Sequence, residues 1–185
     1  MVAVARRQKQ IVLGVTGSIA AYKAGDIIRR LQDEGFAVSV IMTQEAEKFI
    51  TPLTLAALSG GKVYRKLFDS QAEAWEDRHV GLAQRADAVL IAPATANIIA
   101  KIAAGIADDL LTCTALATQA PVLIAPAMNT GMLKNSFTRE NFHKLKKNGI
   151  QVIETTSGRL ASGISGEGHL ADISAIVKKV KATIR

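Results

Sequence analysis

Apolar runs rich in β-branched residues recur along the chain with little alternation: "QIVLGVT" (10–16), "AVSVIMT" (37–43), "ADAVLIAPA" (86–94), "PVLIAPA" (121–127) and "IQVIET" (150–155). Unbroken apolar runs of this length predict strands covered on both faces. Between them lie stretches that predict helices over 18–34, 44–58, 95–117 with a break near Gly105, 136–148 and 172–184. Alternation of strand and helix implies a parallel sheet with right-handed crossovers and helices on both sides. The expected fold class is therefore α/β: a doubly wound parallel sheet, Rossmann-like and flavodoxin-like, forming one domain over residues 1–185. Ligands of such sheets bind beyond the carboxyl ends of the strands. That rule singles out five loops, 14–19, 43–46, 93–98, 126–132 and 156–170.

The first loop, in "GVTGSIAAYK" (14–23), leaves a strand and opens a helix, so its amides can receive an anion. Ser18 there serves as a helix cap or as a phosphate ligand. A dinucleotide site would show a third glycine and an acidic residue closing the second strand. Thr43 stands at that position instead, which favours a mononucleotide phosphate. In "APATANIIAKIAAGIADDLLT" (92–112), Thr95 and Asn97 stand at a helix mouth as caps or as ligand contacts, and Asp108 and Asp109 begin the next helix. "PAMNTGM" (126–132) sets Asn129 just past a strand end between two methionines. The glycine-rich "GRLASGISGEGHL" (158–170) reads as a flexible flap with Ser162 at its centre.

Composition narrows the classes of function. With 49% hydrophobic and 21% charged residues the chain is globular, and no apolar run reaches the about 20 residues that a membrane span requires. The start "MVAVARRQKQ" lacks the apolar stretch of a secretory signal, so the expected location is cytoplasmic and no membrane partner is expected. The lone Cys113, in "LLTCTALAT", excludes an internal disulfide and reads as a small core residue. Although the net charge is +7, the excess sits at the two ends and in "HKLKKNG", and aromatic residues are 4% of the chain. A stacking platform for single strands is thereby excluded and no nucleic-acid partner is expected. The same basic field attracts a phosphorylated small molecule.

Three histidines differ in setting. His143 lies on a lysine-rich helix face and His169 in the glycine-rich flap. His79, in "EDRHVGLAQRADAVLIAP", lies in a short helix feeding the strand over 86–94 and is the first choice for a group that exchanges a proton near neutral pH. The three show no ligand spacing, so no metal is expected.

Taken in order, "GVTGSIAAYK", "HVGLAQRADAVLIAPATAN", "PAMNTGM" and "GRLASGISGEGH" resemble the homo-oligomeric flavin-containing cysteine decarboxylases, and among them the coenzyme A branch most closely. The resemblance spans about residues 10 to 170. It implies FMN held by Gly17, Ser18, Ile19, Thr43, Thr95, Ala96 and Asn97. It also implies His79 as catalytic acid or base, and Asn129 on the substrate carboxylate. Met132, Ala161, Ser162 and Gly163 are implied as further substrate contacts, the last three in a clamp over 156–170. The implied partners are a small phosphorylated cysteine derivative as substrate and further copies of the chain, as a trimer or a dodecamer built of trimers.

In this family the cysteinyl group loses two electrons to FMN, forming a thioaldehyde whose C=S group takes up the electrons left when carbon dioxide departs. At the position of Ser162 the coenzyme A enzymes carry a cysteine that donates a proton in the final reduction. A thiol titrates near about 8.5 and an unactivated hydroxyl is a far weaker acid. Three readings follow: a serine form of the coenzyme A enzyme that halts at the enethiol, a peptidyl-cysteine decarboxylase, or a non-catalytic flavin-binding paralogue. Related decarboxylases are often fused to a synthetase, so the chain reads as a stand-alone enzyme or as part of such a fusion.

Overall fold

The computed structural model describes residues 7–68, 77–159, 163 and 165–184. Six parallel strands form one sheet in the order β3-β2-β1-β4-β5-β6. They are β1 (Gln10–Val15), β2 (Ala37–Met42), β3 (Val63–Tyr64), β4 (Ala88–Ala94), β5 (Val122–Pro126) and β6 (Gln151–Val152). The chain winds outward from β1 through β2 to β3, then returns to β4 on the other side of β1. This reversal leaves a crevice between the ends of β1 and β4, the place where doubly wound sheets bind ligands.

The β1 and β4 side chains alternate between two cores, as period-2 strands require. Ile11, Leu13, Val15, Leu90 and Ala92 face the helices α1 (Ala24–Asp33), α2 (Pro52–Ser59) and α8 (Ile173–Thr183). Val12, Val89, Ile91 and Ala94 face the opposite set. That set is α3 (Arg78–Arg85), α4 (Ala96–Ala104), α5 (Leu110–Ala117) and α7 (Ser136–Lys147), while α6 (Thr130–Lys134) is a single exposed turn before α7. Helix α5 lies close against β1 because Gly14 has no side chain; a Cβ there would stand 2.4 Å from Leu111 Cδ1.

The expected strands and helices are present, with three differences that have local causes. The stretch 44–58 splits into a 3₁₀ turn at Ala46–Lys48 and α2. Pro52 disfavours a helical conformation at Thr51, which is extended (φ −82°, ψ 148°) and caps α2 by accepting the Thr54 amide hydrogen. As expected, the region 95–117 divides at Gly105, whose φ of 73° closes α4, and Asp109 opens α5 through a reciprocal capping pair with Thr112. Strand β3 is an edge strand too short to announce itself in the sequence. The 156–170 segment, read as a loop, contains an antiparallel pair, β7 (Thr156–Arg159) and β8 (Ser165–His169).

Cys113 also departs from its expected place. It is half-buried, and its thiol donates to the Ala107 carbonyl at 3.3 Å. The face of α5 that meets the core is taken by Leu110, Leu111, Thr114 and Ala115. Burial, followed by the nearby Asp109 and Asp108 carboxylates, pushes the Cys113 thiol above its ordinary range.

Candidate active site

The carboxyl ends of β1, β2, β4 and β5 surround a cavity of about 690 Å³. Its size and largely apolar lining suit a cofactor-sized ligand. Gly17, Ser18, Ile19, Thr43, Thr95, Ala96, Asn97, Asn129 and Met132 all line it. Four loops far apart in sequence are thus brought to one place by the order of the strands.

The floor begins at Thr16, which sequence reasoning passed over. Its buried hydroxyl donates to the Pro93 carbonyl at 2.6 Å and accepts the Thr95 amide hydrogen at 3.1 Å. This pair of bonds ties the end of β1 to the end of β4 across the crevice. Beyond it the chain turns at Gly17, where a Cβ would stand 2.3 Å from Glu45 Cβ, so only glycine permits this approach. Ser18 then caps the helical turn Ile19–Lys23 by accepting the Ala20 amide hydrogen at 3.3 Å. The Gly17 and Ile19 amides have no hydrogen-bond acceptor among the described residues, and together with the helix start they make a corner able to receive an anion.

Opposite this corner, Thr95 caps α4 by accepting the Ile98 amide hydrogen while also lining the cavity. Thr43 likewise accepts the Ala46 amide hydrogen at 3.4 Å. The roles of cap and cavity wall are held by the same side chains, since a helix that opens at a strand end exposes its cap to the crevice. Lys101 and Asp109 also line the cavity. The Lys101 ammonium donates to Asp108 at 2.8 Å and to Asp109 at 3.3 Å. The Asp108 bond holds Lys101 above its usual range and, in turn, holds the Asp108 carboxyl below the usual carboxylate range.

Asn129 closes the other end. Its Oδ1 accepts the Gly131 amide hydrogen at 2.7 Å, forming the cap of α6. That bond fixes the side-chain amide, whose Nδ2 is a donor of the kind suited to a carboxylate. The β7–β8 pair is fixed to the same loop. Met128 N–H donates to the Gly168 carbonyl at 2.9 Å, and the Thr130 hydroxyl donates to the Glu167 carbonyl at 2.6 Å. A Cβ at Gly168 would stand 2.2 Å from the Met128 oxygen, and its φ is 115°. Glycines 166 and 168 thus serve close approach at the base of the flap, while Gly163 near the tip has a left-handed φ of 82°. Ala161 and Ser162 lie outside the described residues.

The histidines separate clearly. His143 is exposed on α7, and His169 lines the cavity with Nδ1 3.3 Å from the Leu170 oxygen. His79 sits in the first turn of α3, as expected, yet it is not among the residues lining its own chain's cavity. Its Nδ1 is 3.1 Å from Asp77 Oδ1. No group of three or more potential metal ligands occurs among the described residues, and no described helix is long and apolar enough to cross a membrane.

A doubly wound sheet with an anion-receiving corner at its switch point defines a nucleotide-binding class of protein. The flavoprotein family model matches residues 2–185, and the chain belongs to that family. Its relatives sharpen the picture. The coenzyme A biosynthesis bifunctional protein CoaBC of Vibrio vulnificus is 47% identical over 164 residues, 89% of this chain. The chain spans 41% of that relative's length. The probable phosphopantothenoylcysteine decarboxylase of Streptococcus mutans is 44% identical over 175 residues, covering 94% of this chain and 97% of its own. Among solved structures, a cysteine-to-serine mutant of PPC decarboxylase complexed with pantothenoylaminoethenethiol superposes with a TM-score of 0.84 at 33% identity. It covers 95% of this chain and 98% of that one.

Proposed function

We propose that the protein is a cytoplasmic FMN-dependent carboxy-lyase, acting as one unit over residues 1–185. Its substrate is 4′-phosphopantothenoyl-L-cysteine, on the route to 4′-phosphopantetheine in coenzyme A biosynthesis. The observation that carries this reading is one cavity lined both by Gly17 and Ile19, whose amides have no acceptor among the described residues, and by Asn129. The relatives named for this decarboxylation support the substrate class.

The residues present fit FMN. The corner at Gly17–Ile19 offers amide hydrogens to a terminal phosphate, and it closes with no room for a side chain at Gly17. Thr43, Thr95, Ala96 and Asn97 surround the space beyond it. Thr43 supplies no carboxylate for the ribose diol of a nicotinamide dinucleotide. When bound, FMN supplies an acceptor for two electrons from the cysteinyl group.

The chain's own groups do the remaining work. Asn129 Nδ2 holds the substrate carboxylate, so that the bond to carbon dioxide is aligned with the C=S group that takes up its electrons. The β7–β8 flap, anchored to the Asn129 loop, covers the substrate and excludes water. His79 holds and moves the proton. Because it does not line its own chain's cavity, a homo-oligomer, a trimer or a dodecamer of trimers, sets it against the cavity of a neighbouring copy. Ser162 is too weak an acid to complete the final protonation, and the reaction halts at the enethiol. A cysteine-to-serine relative complexed with an enethiol supports this expectation.

The same serine favours a second reading, a peptidyl-cysteine decarboxylase whose product is a peptide enethiol and which has no need of the thiol. His79→Asn tests the shared core of both. The FMN-loaded variant should retain its yellow flavin and release no carbon dioxide. Undiminished release would remove His79 from the mechanism, and a colourless wild-type protein indifferent to added FMN would overturn the flavin assignment.

A further inference from the structure

We propose that Asp77 is a positioning residue for His79, fixing its tautomer and the direction of its reactive nitrogen. This inference rests on the reading of His79 as the group that moves the proton.

Asp77 occupies the N-cap of α3, a place where a carboxylate ordinarily accepts a hydrogen bond from the second or third amide of the helix. Here it makes no such bond. Its Oδ1 lies instead 3.1 Å from Nδ1 of His79, two residues on. A neutral imidazole meets a carboxylate at that distance only by donating Nδ1–H, which leaves Nε2 as the basic nitrogen. The backbone of one helical turn sets both residues, so the pair is short-range and needs no other element to assemble it. The imidazole keeps 33% of its side-chain surface exposed, and its Nε2 edge, opposite Nδ1, is free of the dyad. A histidine that does not line its own chain's cavity is not oriented by that cavity's wall, and Asp77 supplies a local constraint. Carboxylates that hold the far nitrogen of a metal-bound histidine cost about 10–100-fold when removed, and a loss of that order is expected for this dyad.

Two variants separate orientation from helix stability. Asp77→Ala removes both the carboxylate and the capping capacity. Asp77→Ser retains the capping capacity, since serine is about as good an N-cap as aspartate, but cannot reach Nδ1. Nitrogen NMR of the histidine-labelled protein reads the tautomer without any turnover. We expect wild type to hold the proton on Nδ1, and both variants to shift it towards Nε2. In FMN-loaded protein kcat should fall about 10–100-fold in both variants with KM little changed, and the thermal midpoint of Asp77→Ser should stay near wild type. An unchanged tautomer in both variants overturns the proposal. So does a changed tautomer with full turnover while His79→Asn is inactive. Were His79→Asn itself fully active, the catalytic reading of His79 would fail, and the NMR result alone would decide the pairing.

Discussion

Asn129 uses its side-chain oxygen within its own turn, where it accepts the Gly131 amide hydrogen at 2.7 Å. The two ends of one amide thus have separate duties in the proposed mechanism, local structure for Oδ1 and substrate contact for Nδ2. Asn129→Asp keeps the acceptor and replaces the donor by a second oxygen that repels a carboxylate. We expect the thermal midpoint to stay close to wild type while carbon dioxide release falls roughly 10²–10³-fold, the range for loss of one donor at a reacting group. Gly168 is the contrasting case, since its missing side chain permits the approach of Met128. Alanine there would set a Cβ 2.2 Å from the Met128 oxygen at a φ of 115°. Gly168→Ala should destabilise the protein by about 2–4 kcal/mol in urea unfolding, from backbone strain together with the displaced Met128–Gly168 bond. An unchanged urea midpoint would mean that the flap base is not anchored as described.

At the scale of elements, helix starts do most of the positioning. Thr95 and Ser18 cap helices and line the cavity at once, so capping does not exclude the ligand contacts proposed for them. The turn between α4 and α5 is held by Lys101 across Asp108 and Asp109. Because Lys101 holds the Asp108 carboxyl below its usual range, this contribution is present at neutral pH, above the unfolded value, and is lost as pH falls through the lowered one. The stability difference between wild type and Lys101→Met should therefore narrow on acidification, as followed by thermal unfolding across pH. A constant difference would show that the lysine acts there through packing alone.

Much of this was legible from pattern because buried parallel strands and glycine-closed helices leave strong local signals. The Gly105 break, the strand ends and the loops that form the cavity are examples. What escaped depended on distance in space. Nothing near Thr16 in sequence announces its bonds to Pro93 and Thr95, and β3 is too short to carry a pattern. His169 reads as part of a flap until β8 is pinned to Met128. Cys113 sits in an apolar run, yet the facing of α5 leaves it at the margin of the core.

At the scale of the molecule, the reversal of strand order between β1 and β4 gathers these loops at one edge of the sheet. The proposed chemistry follows from three properties of that edge. It carries amides proposed to receive a phosphate and a side-chain donor proposed to hold a carboxylate, and it adjoins the base of the β7–β8 pair. The measurement that tests the account most directly is the mass of the product formed when the FMN-loaded protein meets 4′-phosphopantothenoyl-L-cysteine. The expected product lacks carbon dioxide and two hydrogens and is the enethiol. Loss of carbon dioxide alone would show that another group replaces the missing thiol and would contradict the role given to Ser162. An untouched substrate, with flavin bound, would contradict the proposed decarboxylation of this small molecule.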